Sequence, residues 1–277
     1  MSDRGGGAGD RGGGAGPPLR VGTYNLWVAH WPATPTYDRA PLVRAALDAV
    51  DVLGTQEGTA AHLTALTGRA FAAVGRSRDG GTTGEHAAIL YRTDRVEVIE
   101  HGDFWLSPTP EVPSTGWDAP TYRRLCTWAR LRDRATGSVL VVLNAHLDHE
   151  GARARVESAH LLLTRAAVLA GGDPVAVTGD LNADPGSEPL RVLLGGGLAD
   201  ARARSATPPV GPETTFTDLS DLDRPGGRRR IDWVLVGPGV TVDGYAVLDA
   251  RPGGRHPSDH DPVVAALRLP PPVPRPR

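Results

Sequence analysis

Short apolar runs recur along the chain and alternate with segments of helical periodicity. Some neighbouring runs are close enough to pair as hairpins, whereas others are separated by enough residues for a crossover helix. This mixture predicts an α/β fold with mixed sheets rather than a purely parallel one. Strands are predicted at residues 19–26, 51–56, 86–91, 126–132, 139–145, 174–178, 231–236, 240–248 and 262–269, and helices at 40–50, 59–66, 152–170 and 188–194.

The two ends of the chain differ in composition from its middle. The unit DRGGGAG occurs at residues 3–9 and again at 10–16, and glycine at this density cannot offset its ordering entropy. The sequence ends in PPPVPRPR, which can neither pair as a strand nor continue a helix. We therefore predict flexible tails at residues 1–18 and 271–277 and one domain over residues 19–270.

The charge balance limits the partners that the chain can attract. Its formal net charge is −2, which gives no general attraction to duplex nucleic acid or to an anionic membrane. Cys126 is the only cysteine, so an internal disulfide is excluded. No stretch reaches 18 apolar residues, and the N-terminus lacks the apolar core of a signal peptide. We expect a cytoplasmic monomer with no membrane partner.

Polar side chains stand at the ends of six predicted strands, where a rigid sheet could hold an active site. Each has an ordinary structural explanation when it is taken alone, because Asn and Asp are frequent turn residues and a histidine can serve as a structural hydrogen-bonding group. Their joint occurrence favours function. The set comprises Asn25, Gln56, Glu57, Asn144, His146, Asp148, Asp180, Asn182, Asp232, Ser258, Asp259 and His260.

The segments GDLNADPGS (179–187) and PSDHDPV (257–263) carry a family resemblance. Together with the strand-end set, they resemble the endonuclease/exonuclease/phosphatase superfamily of DNase-like, metal-dependent phosphoesterases. FWLS, GWDA and CTWARL resemble a bacterial branch near the nocturnin and deadenylase-like members. The resemblance covers about residues 19–270 and implies a two-sheet β-sandwich flanked by helices, a four-layer fold.

Asp180 and Asn182 are two residues apart, so an extended segment would aim both at the same side. Asp180 could accept a proton from the attacking water while Asn182 donates a hydrogen bond to a phosphoryl oxygen, and the resemblance implies the same roles. Asp232 is a candidate orienter of a cationic His260. For His146 the resemblance implies contact with the phosphate or protonation of the leaving group. Asn144 is expected to support the substrate site.

Hard oxygen ligands indicate Mg²⁺ or Mn²⁺ as the cofactor. Glu57 is the main candidate ligand and Asn25 lies beside it, which the resemblance also implies. Asp259 is a further candidate, although the sequence leaves its place in the metal shell open. Zinc is disfavoured because the chain contains no CxxC or HExxH motif.

Residues 103–124 form a long segment without regular periodicity, which is interpreted either as a pocket wall or as a surface loop. Trp105, Trp117 and Arg123 are its candidate substrate-binding residues. The expected substrate is a phosphoester of a small molecule or nucleotide. We predict a phosphodiesterase, with a small-molecule phosphomonoesterase or a nuclease as alternatives. A non-catalytic domain that binds a phosphorylated ligand is the alternative from another class.

Overall fold

The computed structural model describes residues 16–34, 37–219, 226–249 and 251–271. Most of both predicted tails lies outside these ranges. The strands are β1 (Leu19–Asn25), β2 (Val52–Gln56), β3 (Phe71–Val74), β4 (Ile89–Arg92), β5 (Val96–Trp105), β6 (Thr115–Gly116), β7 (Ala119–Arg123), β8 (Leu125–Asp133), β9 (Val139–His146), β10 (Val175–Asp180), β11 (Ala199–Asp200), β12 (Phe216–Thr217), β13 (Arg228–Arg229), β14 (Asp232–Val236), β15 (Thr241–Val247) and β16 (Val263–Arg268). The α-helices are α1 (Ala40–Ala45), α2 (Ala60–Leu66), α3 (Ala152–Ala170), α4 (Glu188–Gly195) and α5 (Ala201–Arg204), and 3₁₀-helices span Ala46–Ala49 and Pro252–Gly254.

Two six-stranded sheets contain the longer strands. The first has the order β15-β16-β1-β2-β4-β3, and the second has the order β11-β14-β10-β9-β8-β5. The pairs β1–β2 and β9–β10 are parallel, and the other neighbours in both sheets are antiparallel. The expectation of mixed sheets is therefore confirmed.

The two sheets pack face to face, and helices cover their outer faces. Because side chains alternate along a strand, Val142 faces the core between the sheets whereas Val141 and Leu143 pack toward α3 and α4. On the other side of the molecule, Tyr24 and Leu53 pack against the layer that contains α1 and α2. The central strands are buried on both faces, which explains their nearly continuous apolar runs. These four layers confirm the expected sandwich.

The sequence prediction missed seven strands and simplified two other segments. It omitted β3, β5 and β11, which lie at sheet edges, and the short strands β6, β7, β12 and β13. The middle of β5 is exposed and polar, so it shows little apolar periodicity. The predicted helix at residues 40–50 is divided into α1 and a 3₁₀ turn. Residues 103–124 are more regular than expected, because they contain the end of β5 and the hairpin of β6 with β7. No helix among the described residues is long and apolar enough to span a membrane.

Strand directions bring the predicted polar residues to one edge of the sandwich. The parallel strands β9 and β10 both end there, and the antiparallel strand β14 begins there. As a result, Asp180 is aligned with His146 on one side and with Asp232 on the other. Gly179 has φ +153°, and a Cβ at this position would collide with the carbonyl oxygen of Ala145. Glycine is thus required immediately before Asp180.

Helix α2 begins with a capping box that uses a histidine. Thr59 Oγ1 lies 2.8 Å from His62 Nδ1, and the Thr59 backbone N–H donates to the same nitrogen at 3.2 Å. The imidazole stacks on Trp31 with ring centroids 3.9 Å apart. Burial, together with the charge of Arg39, lowers the pKa of His62 to about 3. The folded protein therefore holds this ring neutral.

Acidification is expected to destabilise the protein through His62. Since the folded pKa lies below the unfolded value of 6.5, this contribution is present above pH 6.5 and is lost as the pH falls toward 3. His62→Gln keeps a capping-box residue that does not titrate. Denaturant unfolding at about pH 7 and about pH 4.5 should show a loss larger by about 1 kcal/mol in the wild type than in the variant. Equal losses in the two proteins would contradict this role.

Candidate active site

The polar strand ends surround an open cleft with a volume of about 490 Å³. The side chains lining it come from both sheets and from the loops that follow the strands. Six of them were predicted from the sequence to have functional roles: Glu57, His146, Asp180, Asn182, Asp259 and His260.

Asp180 lies at the centre of this group of residues and is almost completely buried. Its Oδ2 accepts a hydrogen bond from Asn25 Nδ2 at 3.1 Å, and its Oδ1 accepts one from the Asn182 backbone N–H at 3.0 Å. The Nε2 atoms of His146 and His260 lie 3.5 and 3.7 Å from Asp180 Oδ2. Burial raises the pKa of Asp180 to about 7 against the opposing effect of His260. A carboxylate with such a pKa suits a general base near neutral pH.

His260 forms a buried pair with Asp232. Its Nδ1 lies 2.8 Å from Asp232 Oδ2, which orients the ring and directs Nε2 toward Asp180. Burial lowers the pKa of His260, but the charges of Asp232 and Asp180 outweigh this effect and raise it well above the ordinary value. The ring is therefore an imidazolium at neutral pH and can stabilise negative charge on a phosphoryl group.

The residues expected to hold a metal, Glu57 and Asp259, line the same cleft as Asp180 and His260. The Glu57 carboxylate accepts from Asn25 Nδ2 at 3.0 Å and from the Val28 backbone N–H at 2.9 Å. Asp259 has its pKa raised to about 6 by burial, and the neighbouring charge of Glu57 also raises it. Two carboxylates that repel each other in an open cleft form a donor set that fits Mg²⁺ or Mn²⁺.

Asn25, the other expected metal ligand, contacts two carboxylates of the site. Its amide nitrogen donates to both Glu57 and Asp180, and its Oδ1 accepts from the Trp27 backbone N–H at 3.0 Å. Asn25 thus connects the proposed metal ligand to the proposed base. It orients both carboxylates through a single amide group.

Asp180, Asp232 and His260 also present ligand-type atoms within 4.8 Å of one another. An ion bound to His260 Nε2 would require that nitrogen to be unprotonated, while Nδ1 could still donate to Asp232. The charges of Asp232 and Asp180 favour the protonated ring. This cluster therefore orients His260 and is a second candidate metal site beside Glu57 with Asp259.

Asn182 lines the cleft, but not for the reason that the sequence analysis gave. β10 ends at Asp180, and Asn182 adopts a left-handed conformation with φ +45°. Its Nδ2 donates to the Leu147 carbonyl at 3.0 Å. The premise of one extended segment is therefore wrong, and a turn closed on Asp180 brings the two side chains to the same cleft. Glu57 also has a positive φ, +57°, at the end of its strand.

The four expected substrate-binding residues do not line the main cleft. Asn144 is fully buried between the sheets, where its amide donates to the Thr55 and Ala88 carbonyls. Trp105 is buried and donates to the Arg78 carbonyl at 2.7 Å. Arg123 is exposed, pairs with Asp79 at 3.0 Å and lines a small neighbouring pocket with Glu57 and His146. Trp117 lies in the turn between β6 and β7.

The sequence analysis passed over several cleft residues, among them the neighbour of Arg123. Arg124 is buried where β7 has ended, and it contacts His146 and His149. Asp148 accepts from Arg124 and also from the backbone N–H groups of Glu150 and Gly151, so it is both a turn residue and a partner of the site. The sequence pair Arg123–Arg124 indicated that an arginine could serve the site. Only the fold determines which of the two turns inward. The other cleft residues that were given no specific role are Val28, Arg78, Glu85, Tyr122, Phe216, Arg229 and Ile231.

For the phosphoester hydrolysis that the resemblance implies, kcat/KM is expected to show a bell-shaped dependence on pH. Asp180 must be deprotonated to accept a proton, so kcat/KM should fall as the pH drops below about 7, and added metal should move this limb to lower pH. His260 must be protonated, so the alkaline limb lies well above its ordinary pKa. Asp232→Asn removes the paired carboxylate and should move the alkaline limb downward. A flat profile between about pH 5 and 8 would contradict these assignments.

Comparisons with known proteins agree with this geometry. A model of the Endonuclease/Exonuclease/phosphatase family matches residues 22–260. A mannosyl-6-phosphatase of Bacteroides thetaiotaomicron is 34% identical, with a TM-score of 0.79 over 90% of this chain and 99% of that chain. A family protein of Bacteroides vulgatus is 30% identical, with a TM-score of 0.81 over 91% and 99%. The catalytic domain of human nocturnin is 18% identical, with a TM-score of 0.69 over 91% and 94%, and shows the shared fold alone. A search of curated proteins found no match.

Proposed function

Because this chain belongs to the endonuclease/exonuclease/phosphatase family, whose members hydrolyse phosphoester bonds, we propose that it is a divalent-metal-dependent hydrolase of small phosphate esters. The observation that carries the proposal is the arrangement around Asp180. A buried carboxylate with a pKa near 7 shares the cleft with an imidazolium and with two carboxylates, Glu57 and Asp259, that would hold a metal. This arrangement supplies a base, a source of positive charge and a metal site within one cleft.

Each of these side chains has a distinct task in the proposed reaction. Asp180 accepts the proton of the attacking water, and Asn25 keeps its carboxylate in position. His260, held by Asp232, places a positive N–H group near the phosphoryl oxygens. Glu57 and Asp259 would hold Mg²⁺ or Mn²⁺, which when bound supplies Lewis-acid charge stabilisation to the phosphoryl group.

The side chains at the rim of the cleft favour a substrate whose leaving group is small and carries hydroxyl groups. Arg78 and Glu85 form an ion pair at 2.8 Å, and the Arg78 guanidinium lies 5.0 Å from the centre of the Tyr122 ring. His149 lies beside Tyr122 with ring centroids 5.7 Å apart. Donors and acceptors next to an aromatic face suit the hydroxyl groups of a sugar or nucleoside.

The 34% identical mannosyl-6-phosphatase favours a sugar phosphomonoester as the first substrate to test. The sequence-based preference for a phosphodiester stays a prediction, as do a monomeric state and a cytoplasmic location. The catalytic groups described above serve either ester. The number of ester substituents on phosphorus that the cleft accepts therefore distinguishes the two possibilities.

A substrate panel tests the proposal. The purified chain is incubated with Mg²⁺ or Mn²⁺ and hexose 6-phosphates, 4-nitrophenyl phosphate, bis(4-nitrophenyl) phosphate, mononucleotides and single-stranded RNA and DNA. We expect hexose 6-phosphates to be hydrolysed at the highest kcat/KM, with inorganic phosphate released. Turnover of the diesters alone would establish the phosphodiesterase instead. If metal-loaded protein hydrolysed none of them but bound a phosphorylated sugar, the non-catalytic alternative would replace our proposal.

A further inference from the structure

Arg124 connects the reacting centre to the rim of the cleft. The residue is only 5% exposed. Its three guanidinium nitrogens contact three different residues: Nε lies 3.2 Å from Asp148 Oδ2, Nη1 lies 3.1 Å from His146 Nδ1, and Nη2 lies 2.7 Å from His149 Nδ1. One guanidinium therefore contacts the Nδ1 atoms of two histidines that lie in the same cleft.

These contacts determine where each histidine carries its proton. An arginine guanidinium has donors only and stays charged at any pH of interest. Each Nδ1 atom that it contacts must therefore accept, so that nitrogen has a free lone pair. A neutral imidazole with an unprotonated Nδ1 carries its hydrogen on Nε2. His146 and His149 are thus both in the Nε2–H form.

The Nε2–H group of His146 faces the reaction site. This nitrogen lies 3.5 Å from Asp180 Oδ2 and borders the cleft. His146 is buried, the positive groups near it are Arg124, Arg78 and the imidazolium of His260, and the carboxylate of Asp180 also faces it. Burial and the positive neighbours lower the pKa of His146 well below the ordinary value. The ring remains neutral where its Nε2 proton could approach a phosphoryl oxygen.

We propose that Arg124 is a positioning residue that holds His146 as a neutral Nε2–H hydrogen-bond donor for the phosphoryl group, and that His146 does not protonate the leaving group. This inference rests on the proposed phosphoester hydrolysis. If His146 gave up its Nε2 proton while Nδ1 accepted from Arg124, it would become an imidazolate, which is not formed near neutral pH. Arg124 thus decides between the two roles that the family resemblance left open.

The tautomer can be observed without any substrate. Long-range ¹H–¹⁵N correlation spectra of the full chain labelled in histidine should show His146 with Nε2 protonated and Nδ1 unprotonated from about pH 6 to 8. Assignment uses His146→Gln, which removes the signal. In Arg124→Met, His146 should become protonated within this range, because its partner and a positive charge are gone. A wild-type His146 that is protonated at Nδ1 would overturn the inference, whether or not the protein proves to be a phosphoesterase.

Kinetics separate positioning from a general structural role. Arg124→Met should lower kcat by about 10- to 100-fold with a smaller change in KM, and should add an ionisation near neutral pH to the rate profile. Arg124→Lys should restore part of kcat, because an ammonium can still donate to one Nδ1. Arg132→Met is the matched control, since Arg132 is an exposed arginine at the far end of β8, paired with Glu97.

A double-mutant cycle completes the test. If Arg124 acts through His146, Arg124→Met should cost almost nothing further in kcat when His146 is already Gln. Thermal unfolding of each variant shows whether the fold is retained. Full and additive losses in kcat in the double variant would mean that Arg124 supports the fold or binds substrate by itself, and the inference would be rejected.

Discussion

Asp180→Asn is expected to lower kcat by about 10³-fold while the fold stays intact. Asparagine has nearly the same shape and can still accept from Asn25 Nδ2, which bonds Asp180 at 3.1 Å in the wild type. It has no basic oxygen to receive the proton of the attacking water. Asp180 accepts hydrogen bonds from Asn25 and from the Asn182 backbone at the centre of the site. Removal of its carboxylate therefore affects the chemical step more directly than removal of a side chain at the cleft rim.

The measurement compares kcat on the best substrate of the panel at about pH 8, where wild-type Asp180 is deprotonated. Far-ultraviolet circular dichroism and Tm verify that the variant is folded. Asp94→Asn provides a matched control, because Asp94 is a largely exposed carboxylate paired with Arg92. If Asp180→Asn kept more than about a tenth of the wild-type kcat, the general-base assignment would be refuted.

Removal of divalent cations is expected to abolish turnover, and Mg²⁺ or Mn²⁺ should restore it. Glu57→Gln should raise the metal concentration required for half-maximal rate by at least about 10-fold, because an amide replaces the main charged ligand. Isothermal titration with Mn²⁺ gives the same affinity without substrate. Glu100→Gln is the control, since Glu100 is exposed, its Oε2 lies 3.8 Å from Arg130 Nε, and it does not line the cleft.

A second variant locates the ion. Asp232→Asn should lower kcat through His260 but leave the affinity for Mn²⁺ close to that of the wild type. The opposite pattern, with weak binding in Asp232→Asn and normal binding in Glu57→Gln, would place the metal at Asp180, Asp232 and His260, whose ligand-type atoms lie within 4.8 Å of one another. The two candidate sites therefore make opposite predictions for the same pair of proteins.

Several predictions from sequence depended on strong local patterns. α3 was predicted at residues 152–170 and spans Ala152–Ala170. The central strands were found because burial on both faces makes them continuous apolar runs. The edge strand β5 was missed because its exposed middle, including Glu100, resembles a loop. Apolar patterning reports burial, so strands with little burial give little signal.

Among the predicted functional residues, too, some were placed correctly from the sequence and others were not. Glu57, Asp180 and His260 reach one cleft because strand direction alone places the strand ends together. Asn144 also lies near the end of a strand in the sequence, but its position within β9 turns its side chain into the space between the sheets. Arg123 and Arg124 are adjacent and chemically identical, yet Arg123 is exposed and Arg124 is buried. A one-residue change of register at a strand end reverses which of them meets the site.

The sequence by itself determined the fold class, the family resemblance and the residues that carry the proposed chemistry. These depend on local periodicity and on residue types at strand ends, both of which can be read along one dimension. The tertiary structure decided which side chains touch. It showed that Asn25 bridges Glu57 and Asp180, that Asn182 reaches the cleft through a turn, and that Arg124 contacts two histidines. Such contacts join residues that are distant along the chain, and only the packing of two sheets brings them within hydrogen-bonding distance.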